Sequence, residues 1–345
     1  MPPSSSLTYR QAVASLNRLI NYERHPPGRA STRAFHLASF RRFLDRLGRP
    51  QRGLRIVHLA GTRGKGTTAT LLAEALCHRG LRVGLYRSPH VDDLRERITV
   101  DGEWIPKAGF ARHATRVLGA LRSEPVRVDG SYRTFFEALT AIALLHFAEQ
   151  EVDWAVIETG LGGRLDATNV VRPELTILTA LGMDHAALLG PRPEQIAREK
   201  AGIIKRGIPC LIAPQPGDQP RGVMQVVRAR ARRVGARLSL VNRQVTATIV
   251  RRSVGGMTVQ LASPGGRGPC TWVRTLPGGE GLASALATVE LALEQMGLKP
   301  MRHSRRRERF SWPLPGRLEI AGVRPLRVLD GAHCPLAAKP LAEAL

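Results

Sequence analysis

A glycine-rich segment around Lys65, GTRGKGT, contains the residue types that bind phosphate. Its glycines allow backbone N–H groups to turn toward an anion, the lysine adds a positive charge, and a following helix adds the dipole of its N-terminus. Thr67 can offer its hydroxyl to Mg²⁺, as the last residue of a Walker A loop does. The spacing departs from that loop because Gly66 separates Lys65 from Thr67. We predict a phosphate loop here; the alternative is a glycine-rich turn without a ligand.

Two further polar residues follow apolar, strand-like segments. Glu158 lies at the end of WAVIET, and His185 comes directly after LTALGMD. Ligands of open α/β sheets bind at the carboxyl ends of the strands, so we expect both side chains near Lys65. There Glu158 could hold Mg²⁺ opposite Thr67. Taken singly, they would be an ordinary strand-end carboxylate and a structural histidine, but three converging strand ends favour a functional role.

A second glycine-rich segment, GLGGRLDATN, covers residues 160–169 directly after that strand. It is too rich in glycine and polar residues to be only a connection. Its backbone can approach a ligand closely, and Arg164 and Asp166 can contact polar groups of a substrate. Lys200, in AREKAGII, is by itself interpreted only as a solvated helix lysine paired with an acid.

The elements that must position these residues follow an alternating pattern. The first 50 residues contain two helical segments, YRQAVASLNRLI and FHLASFRRFLDRLG. A strand–loop–helix–strand unit then carries the phosphate loop, and helices alternate with apolar strands as far as PCLIAP at 209–214. This alternation predicts an α/β domain with a mostly parallel sheet and flanking helices.

The pattern changes near residue 236. Short strands separated by glycine-rich turns predict a small antiparallel sheet over about residues 236–276, followed by a helix over 281–297. We therefore predict one domain over residues 1–298 and the start of an α/β C-terminal domain over 299–345, with a strand leading into a helix. That second part is shorter than the roughly 50–200 residues of typical domains, so it is expected to be incomplete.

The charge of the chain is strongly positive. Lys and Arg number 52 against 28 acidic residues, a net charge of +24. Such a charge fits a nucleic-acid partner, or else an arginine-rich composition with anionic substrates. The densest basic runs cover residues 228–233 and 302–309, and no nucleic-acid-binding motif lies beside them. The second interpretation is therefore favoured.

Cysteine spacing and hydropathy exclude other classes. The four cysteines are widely spaced with no C-x-x-C, which argues against a zinc site or a disulfide framework. No membrane span or secretory signal is recognisable in the sequence. We expect a cytoplasmic protein.

Together these stretches resemble the folylpolyglutamate synthase/dihydrofolate synthase family of the Mur ligase superfamily. The resemblance spans roughly residues 16–345, in the family's order, and rests on HLAGTRGKGT, RSPHVDDLRERITVDGEWI, TFFEALTA, ETGLGGRLDATN, GMDH, IAREKAGIIKRGIPC, PGRLE and LDGAHCP. The combination of GLGGRLDATN with EKAGIIK is highly specific. It implies a central domain of the Mur ligase type, with its phosphate loop on the parallel sheet.

The resemblance also implies an activity. Members of the family are ATP-dependent ligases that phosphorylate a carboxylate to an acyl phosphate, which the amine of L-glutamate then attacks. The acceptor would be dihydropteroate, a reduced folate such as tetrahydrofolate, or both, in folate biosynthesis and polyglutamylation. ATP and two Mg²⁺ ions are implied, with K⁺ as a further candidate ion. A monomer with no membrane or nucleic-acid partner is expected.

The resemblance assigns the site residues in four groups. The ATP-binding residues would be Gly64, Lys65, Gly66, Thr67, Ser284, Arg317, Asp330 and His333. The acceptor-binding residues would be Thr134, Phe135, Phe136, Glu137, Leu165, Asp166 and Ala167. The metal ligands would be Ser88, Glu158, His185 and Lys200, the last as a carbamate. The catalytic residues would be Lys65, Lys200 and His185.

Some positions differ from the family's pattern, and two other functions stay open. The differing positions are Arg63, Arg87, Glu280, Gly281, Ser284 and Cys334. With these changes and the short second domain, one alternative is a family member with impaired ligase activity. The other is a basic nucleotide-binding protein whose partner is nucleic acid. The motifs do not distinguish dihydropteroate from folate as the acceptor.

Overall fold

The N-terminal segments form helices, as predicted. The computed structural model describes residues 6–23, 36–122, 133–217, 220–266, 269–303, 308–332, 338 and 341–342. Helix α1 covers Tyr9–Leu16 and helix α2 covers Leu37–Arg46. Thr8 begins α1 with a capping box, in which its side chain accepts from the N–H of Gln11 and the Gln11 side chain accepts from the N–H of Thr8.

In the described part of the chain, eight strands form the central sheet. They are β1 (Ile56–Ala60), β2 (Val83–Tyr86), β3 (Ile98–Val100), β4 (Glu103–Trp104), β5 (Trp154–Glu158), β6 (Leu175–Leu178), β7 (Cys210–Ile212) and β8 (Leu238–Leu240). Their order is β4-β3-β2-β5-β1-β6-β7-β8. The strands from β2 to β8 in this order pair in parallel, and β3 and β4 extend one edge antiparallel. The predicted mostly parallel sheet is confirmed.

Helices cover both faces of this sheet. They are α3 (Lys65–Cys77), α4 (Lys107–Arg122), α5 (Phe135–Glu149), α7 (Pro193–Lys200) and α8 (Arg221–Val234). The short helix α6 (Ala186–Leu189) lies after β6 and buries none of its residues. On β1, Val57 and Leu59 pack into the core formed with α3, whereas Ile56 packs into the core formed with α4 and α5. Every residue of β1 is buried, as expected for a strand covered on both faces.

The antiparallel sheet is smaller than predicted. It contains β9 (Thr246–Ser253), β10 (Gly256–Ala262) and β11 (Cys270–Thr275), and helix α9 (Glu280–Gln295) follows. The segment near residue 238, predicted as part of this sheet, is instead β8 and pairs in parallel with β7. A three-residue strand carries no periodicity that reveals its partner. The crossover through α8 returns the chain beside β7 and decides the pairing.

The C-terminal segment forms a hairpin where a single strand was predicted. Strand β12 (Glu319–Val323) pairs antiparallel with β13 (Leu326–Leu329). The chain before this hairpin is anchored on α3, where the buried carboxylate of Glu74 accepts from the N–H groups of Ser311 at 2.7 Å and Trp312 at 3.1 Å. The helix that carries the phosphate loop is thus connected to the segment leading into the hairpin.

The first of the two basic runs lies at the surface. Residues 228–233 lie on α8, which buries Val223, Val227 and Ala231 and leaves most of its arginines exposed. In the second run, Arg302 pairs with Glu290 and Glu294, while residues 304–307 lie outside the described part of the chain. Among the described helices, none has the length and apolar content needed to cross a bilayer.

Candidate active site

The phosphate-loop segment connects β1 to α3. Helix α3 begins at Lys65, and Gly64 before it has a φ of 77°, a left-handed conformation that favours glycine. A Cβ on Gly61 would lie 1.8 Å from Oγ1 of Thr179, so only glycine fits there without movement. The N–H groups of the first turn of α3 therefore begin directly at the loop, which is the geometry of an anion site at a helix N-terminus.

Glu158 lies beside this loop at the end of β5. It is 4% exposed, its Oε2 accepts from the N–H of Ser88 at 3.1 Å, and its Oε1 lies 4.0 Å from Nζ of Lys65. A Cβ on Gly66 would lie 3.3 Å from Oε2, so the carboxylate rests against the loop. Burial raises the pKa of Glu158, although the charge of Lys65 and the Ser88 hydrogen bond oppose that rise.

Lys200, at the end of α7, is buried beside the same loop. It is 2% exposed, and its Nζ donates to the carbonyl oxygen of Gly61 at 2.8 Å, while Nζ of Lys65 donates to the same oxygen at 3.1 Å. Burial, followed by the charge of Lys65, lowers the pKa of Lys200 to about 7. The solvated, ion-paired lysine expected from the residue alone is wrong, because the loop following β1 covers the end of α7.

His185 lies at the same edge, in the loop after β6. Since β6 and β5 flank β1, the loops that follow these three strands are neighbours. His185 has a φ of 46° and precedes the short helix α6. Its Nε2 lies 3.4 Å from Oδ1 of Asp184, and its side chain is half-exposed. Lys65, Glu158 and His185 therefore line one cavity.

The start of α5 forms another wall of this cavity. Thr134 is the N-cap of α5: its side chain accepts from the N–H of Glu137 at 3.1 Å, and Oε2 of Glu137 accepts from the N–H of Thr134 at 2.9 Å. Oε1 of Glu137 accepts from Nη1 of the buried Arg133 at 2.8 Å. Both carboxylate oxygens of Glu137 are held in place before any ligand arrives.

The loop after β5 is organised by Asp166. Its Oδ2 accepts from the N–H of Leu161 at 2.8 Å, and its Oδ1 accepts from the N–H of Thr168 at 2.9 Å and from the Thr168 hydroxyl at 2.5 Å. Burial raises the pKa of Asp166, and these hydrogen bonds oppose the rise. A Cβ on Gly163 would lie 2.9 Å from the carbonyl oxygens of Glu199 and Lys200. The glycines therefore allow this loop to pack against the end of α7.

The cavity, of about 670 Å³, joins most of the predicted site residues. Those lining it are Gly64, Lys65, Gly66, Thr67, Ser88, Thr134, Phe136, Glu137, Glu158, Leu165, Asp166, Ala167, His185, Ser284, Arg317 and Asp330. Phe135 does not line it, because its side chain points into the core with α2 and α4. Lys200 lies behind the loop rather than at the cavity surface. His333 and Cys334 lie outside the described residues.

Residues next to the β12–β13 hairpin line one side of the cavity, and local hydrogen bonds hold them there. Oδ2 of Asp330 accepts from the N–H of Leu318 at 2.9 Å, and Oδ1 accepts from the N–H of Ala332 at 2.8 Å. Nη1 of Arg317 donates to the carbonyl oxygen of Gly316 at 3.0 Å, and the Arg317 charge acts to lower the pKa of Glu158. The Arg317 guanidinium is thus close enough to influence the phosphate side.

Several lining residues were absent from the sequence prediction. Tyr22, Glu23, His36 and Leu37 come from the N-terminal segments and line the same cavity. Their sequence carries no signal for this, since tertiary contacts bring them there: Glu23 pairs with Arg97, and α2 packs on residues 167–170. Asp184, another lining residue, could have been found from its place beside His185 in the loop after β6.

The oxygen ligands and the glycine loop of the cavity fit ATP and Mg²⁺. Mg²⁺ prefers oxygen ligands, one or two of them carboxylates, together with phosphate oxygens. The Glu158 carboxylate provides a buried oxygen pair whose nearest described cation is 4.0 Å away, and Thr67 and Ser88 add hydroxyl groups at the same cavity. The glycine loop at the start of α3 leaves room for a phosphate beside them.

Known proteins resemble this chain in sequence and in structure, although no family model matches. A "probable bifunctional folylpolyglutamate synthase/dihydropteroate synthase" of Halobacterium salinarum is 36% identical over 301 residues, 87% of this chain and 36% of that protein. The "dihydrofolate synthase/folylpolyglutamate synthase" of Bacillus subtilis is 34% identical over 321 residues, 90% of this chain and 71% of that protein. A solved "FPGS-AMPPCP-folate complex" superposes with a TM-score of 0.83 at 29% identity, covering 98% of this chain and 80% of the other.

These matches run through the described site and the sheet that carries it. The chain spans about a third of the Halobacterium protein and about 71% of the Bacillus protein. The second match covers more than two thirds of both chains, and the structural match has the Mur ligase-type fold of a folylpolyglutamate synthase. The chain belongs to the folylpolyglutamate synthase/dihydrofolate synthase family.

Proposed function

We propose that this chain is an ATP-dependent ligase that adds L-glutamate to dihydropteroate, to a reduced folate, or to both, through an acyl phosphate. The observation that carries the proposal is a single cavity that joins the phosphate loop, the buried Glu158 and the N-terminus of α5. The relative solved with AMPPCP and folate supports both ligand classes. We further propose that it acts as a cytoplasmic monomer.

The phosphate side of the cavity would bind and orient ATP. The N–H groups at the start of α3 would donate to phosphate oxygens, and Lys65 would turn from the Gly61 carbonyl to neutralise the transferring phosphoryl group. Mg²⁺, held by Glu158 with Ser88 and Thr67, would supply charge stabilisation to that transfer when bound. Ser284, Arg317 and Asp330 would contact the nucleotide from the other side. K⁺ is a further candidate ion, without a defined set of ligands.

Lys200 is suited to become a carbamate. A neutral amine attacks CO₂, an N–C bond forms and one proton leaves the nitrogen, and a pKa of about 7 makes the neutral amine available near pH 7. The product would replace a buried positive charge with a negative one. Together with His185, it would provide the ligands of the second Mg²⁺.

The acceptor would lie against Thr134, Phe136, Glu137 and the loop containing Asp166. The carboxylate of Glu137, held by Arg133 and by the N–H of Thr134, would define the shape of the wall against which the pterin lies. Apolar side chains that line this side, including Leu165, would exclude water, which otherwise hydrolyses an acyl phosphate.

The experiment is phosphate release by the 345-residue chain with Mg-ATP. Reactions with dihydropteroate and with tetrahydrofolate are compared, each with and without L-glutamate. Release that needs both L-glutamate and one acceptor would support the ligase and identify that acceptor. Folded protein that binds ATP but releases no phosphate with either acceptor would overturn the proposal, and would favour a family member with impaired ligase activity.

A further inference from the structure

A second cluster of ligand-type side chains lies between α4 and α5. One ring nitrogen each of His113 and His146 and one carboxylate oxygen of Glu149 lie within 4.8 Å of one another. His113 comes from α4, whereas His146 and Glu149 stand three residues apart on α5. His146 is twelve residues along α5 from Thr134, about 18 Å at 1.5 Å per residue. The cluster is therefore separate from the cavity.

Both imidazoles are buried and available as ligands. Each histidine is 4% exposed, and Nδ1 of His146 is buried without a hydrogen-bond partner among the described residues. Buried polar atoms are normally satisfied, so an orphaned ring nitrogen calls for an explanation. Burial lowers the pKa of His146 to about 4 and also lowers the pKa of His113, which favours the neutral form of both rings. A neutral imidazole is the form that binds a metal.

The carboxylate of Glu149 contacts His113 within the cluster. Its Oε2 lies 3.0 Å from Nε2 of His113 and also accepts from Nη2 of Arg112 at 2.6 Å. The side chains of Arg112 and Glu149 are 56% and 40% exposed, so the guanidinium can rotate into solvent when a cation takes its place. Arg82 and Arg116 add positive charge nearby. These charges will weaken binding, and they disfavour hard cations that are held by charge alone.

We propose that His113, His146 and Glu149 form a site for a divalent transition metal of the zinc class. Two imidazoles and one carboxylate are a known ligand set for Zn²⁺ with a fourth position open to water. Mg²⁺ and Ca²⁺ prefer all-oxygen sets, so the site is chemically distinct from the Mg²⁺ site of the cavity. The metal would cross-link α4 to α5 at the end of α5 remote from Thr134.

Co²⁺ is the probe because four-coordinate Co²⁺ absorbs visible light strongly. Octahedral Co²⁺ absorbs more weakly and does not obscure that band. Co²⁺ titrated into the full chain should give a four-coordinate absorption band at one equivalent, which Zn²⁺ then displaces. The band should disappear in His113→Gln/His146→Gln and weaken in Glu149→Gln. The melting temperature of the wild-type protein should rise by about 4 °C when the free Zn²⁺ concentration is about a hundred times its Kd.

Two controls separate this site from other histidines. His185→Gln removes the imidazole of the cavity, and His78→Gln removes one that lies near Glu74 and Glu308. Both variants should keep the band. The proposal would be overturned if wild-type protein gave no band. It would also be overturned if the band kept its full intensity in Glu149→Gln and in the double variant. If the double variant does not fold, the partly exposed Glu149→Gln decides the result.

Discussion

On the phosphate side of the cavity, Lys65 and Lys200 share one carbonyl oxygen, and within the described part of the chain the carboxylate of Glu158 accepts one hydrogen bond, from the N–H of Ser88. On the acceptor side, Asp166 accepts three hydrogen bonds within its own loop, and Glu137 is held by a backbone N–H and a guanidinium. The two sides differ in what their charged groups already bind.

This difference indicates how each side works. Charged groups that lack strong internal partners have capacity for a ligand, and their buried charges are destabilising until it arrives. Groups that are satisfied within the protein instead define the shape of a wall. Substitutions on the phosphate side should therefore remove turnover with little loss of stability, whereas substitutions on the acceptor side should reduce stability first.

The largest effect is expected for Lys65→Ala. ATP-dependent phosphate release should fall by at least about a hundredfold, because the cation facing the transferring phosphoryl group is lost. The melting temperature should change little, since Nζ makes one backbone hydrogen bond in this state. The exposed Lys299 provides the control, and Lys299→Ala should keep full turnover. A Lys65→Ala variant with unchanged turnover would contradict the phosphate assignment.

Lys200 provides a test by pH. Its pKa is about 7 in the folded protein and about 10.4 in an unfolded chain. Burial of the charged form of Lys200 therefore lowers the free energy of unfolding by its full amount below pH 7. This loss disappears as pH rises from 7 toward 10.4. The free energy of unfolding is measured with urea in CO₂-free buffer. Across that pH window, it should rise by a few kcal/mol more for wild type than for Lys200→Met. A constant difference between the two would show that Lys200 does not titrate there.

The same residue can be tested through activity. If the carbamate forms, Lys200→Ala should lose turnover, and short carboxylic acids should partly restore it. Full activity of Lys200→Ala without any added acid would contradict the carbamate.

Asp166 tests the acceptor side. Asp166→Ala leaves two backbone N–H groups and a hydroxyl without their acceptor, so the free energy of unfolding should fall by about 2–3 kcal/mol. Asp45→Ala removes an exposed ion pair with Arg49 and should cost less than about 0.5 kcal/mol. Urea unfolding measures both. Equal costs would mean that the hydrogen bonds of Asp166 do not hold its loop.

The smallest effect concerns two matched helix caps. Thr134→Ala and Thr8→Ala each remove a capping box, and each should lower the free energy of unfolding by about 1 kcal/mol. Only Thr134 lines the cavity, so only Thr134→Ala should raise KM for the acceptor. An equal rise in KM for Thr8→Ala would mean that lost stability, rather than position at the cavity, explains the effect.

Much of the fold could be predicted because its signals are local. Alternating helices and apolar strands predicted the parallel sheet, and Gly64, Lys65 and Glu158 could be found because glycine conformation and strand ends are readable in short segments. The partner of β8 could not be predicted, because three residues carry no information on pairing. The hairpin was also missed, since pairing of β12 with β13 depends on where the chain turns between them.

The sequence by itself determined which residues could do chemistry and the strand ends on which they stand. Only the tertiary structure decided how deeply these residues are buried, which hydrogen bonds they form and how their pKa values shift. Lys200 is on a helix that looks solvent-exposed in sequence, yet the packing of the loop after β1 buries it and lowers its pKa to about 7. Asp166 looks like a free substrate ligand, yet its own loop satisfies its carboxylate. Residue type and spacing are properties of a segment, whereas burial and hydrogen-bond partners depend on what the rest of the chain places beside it.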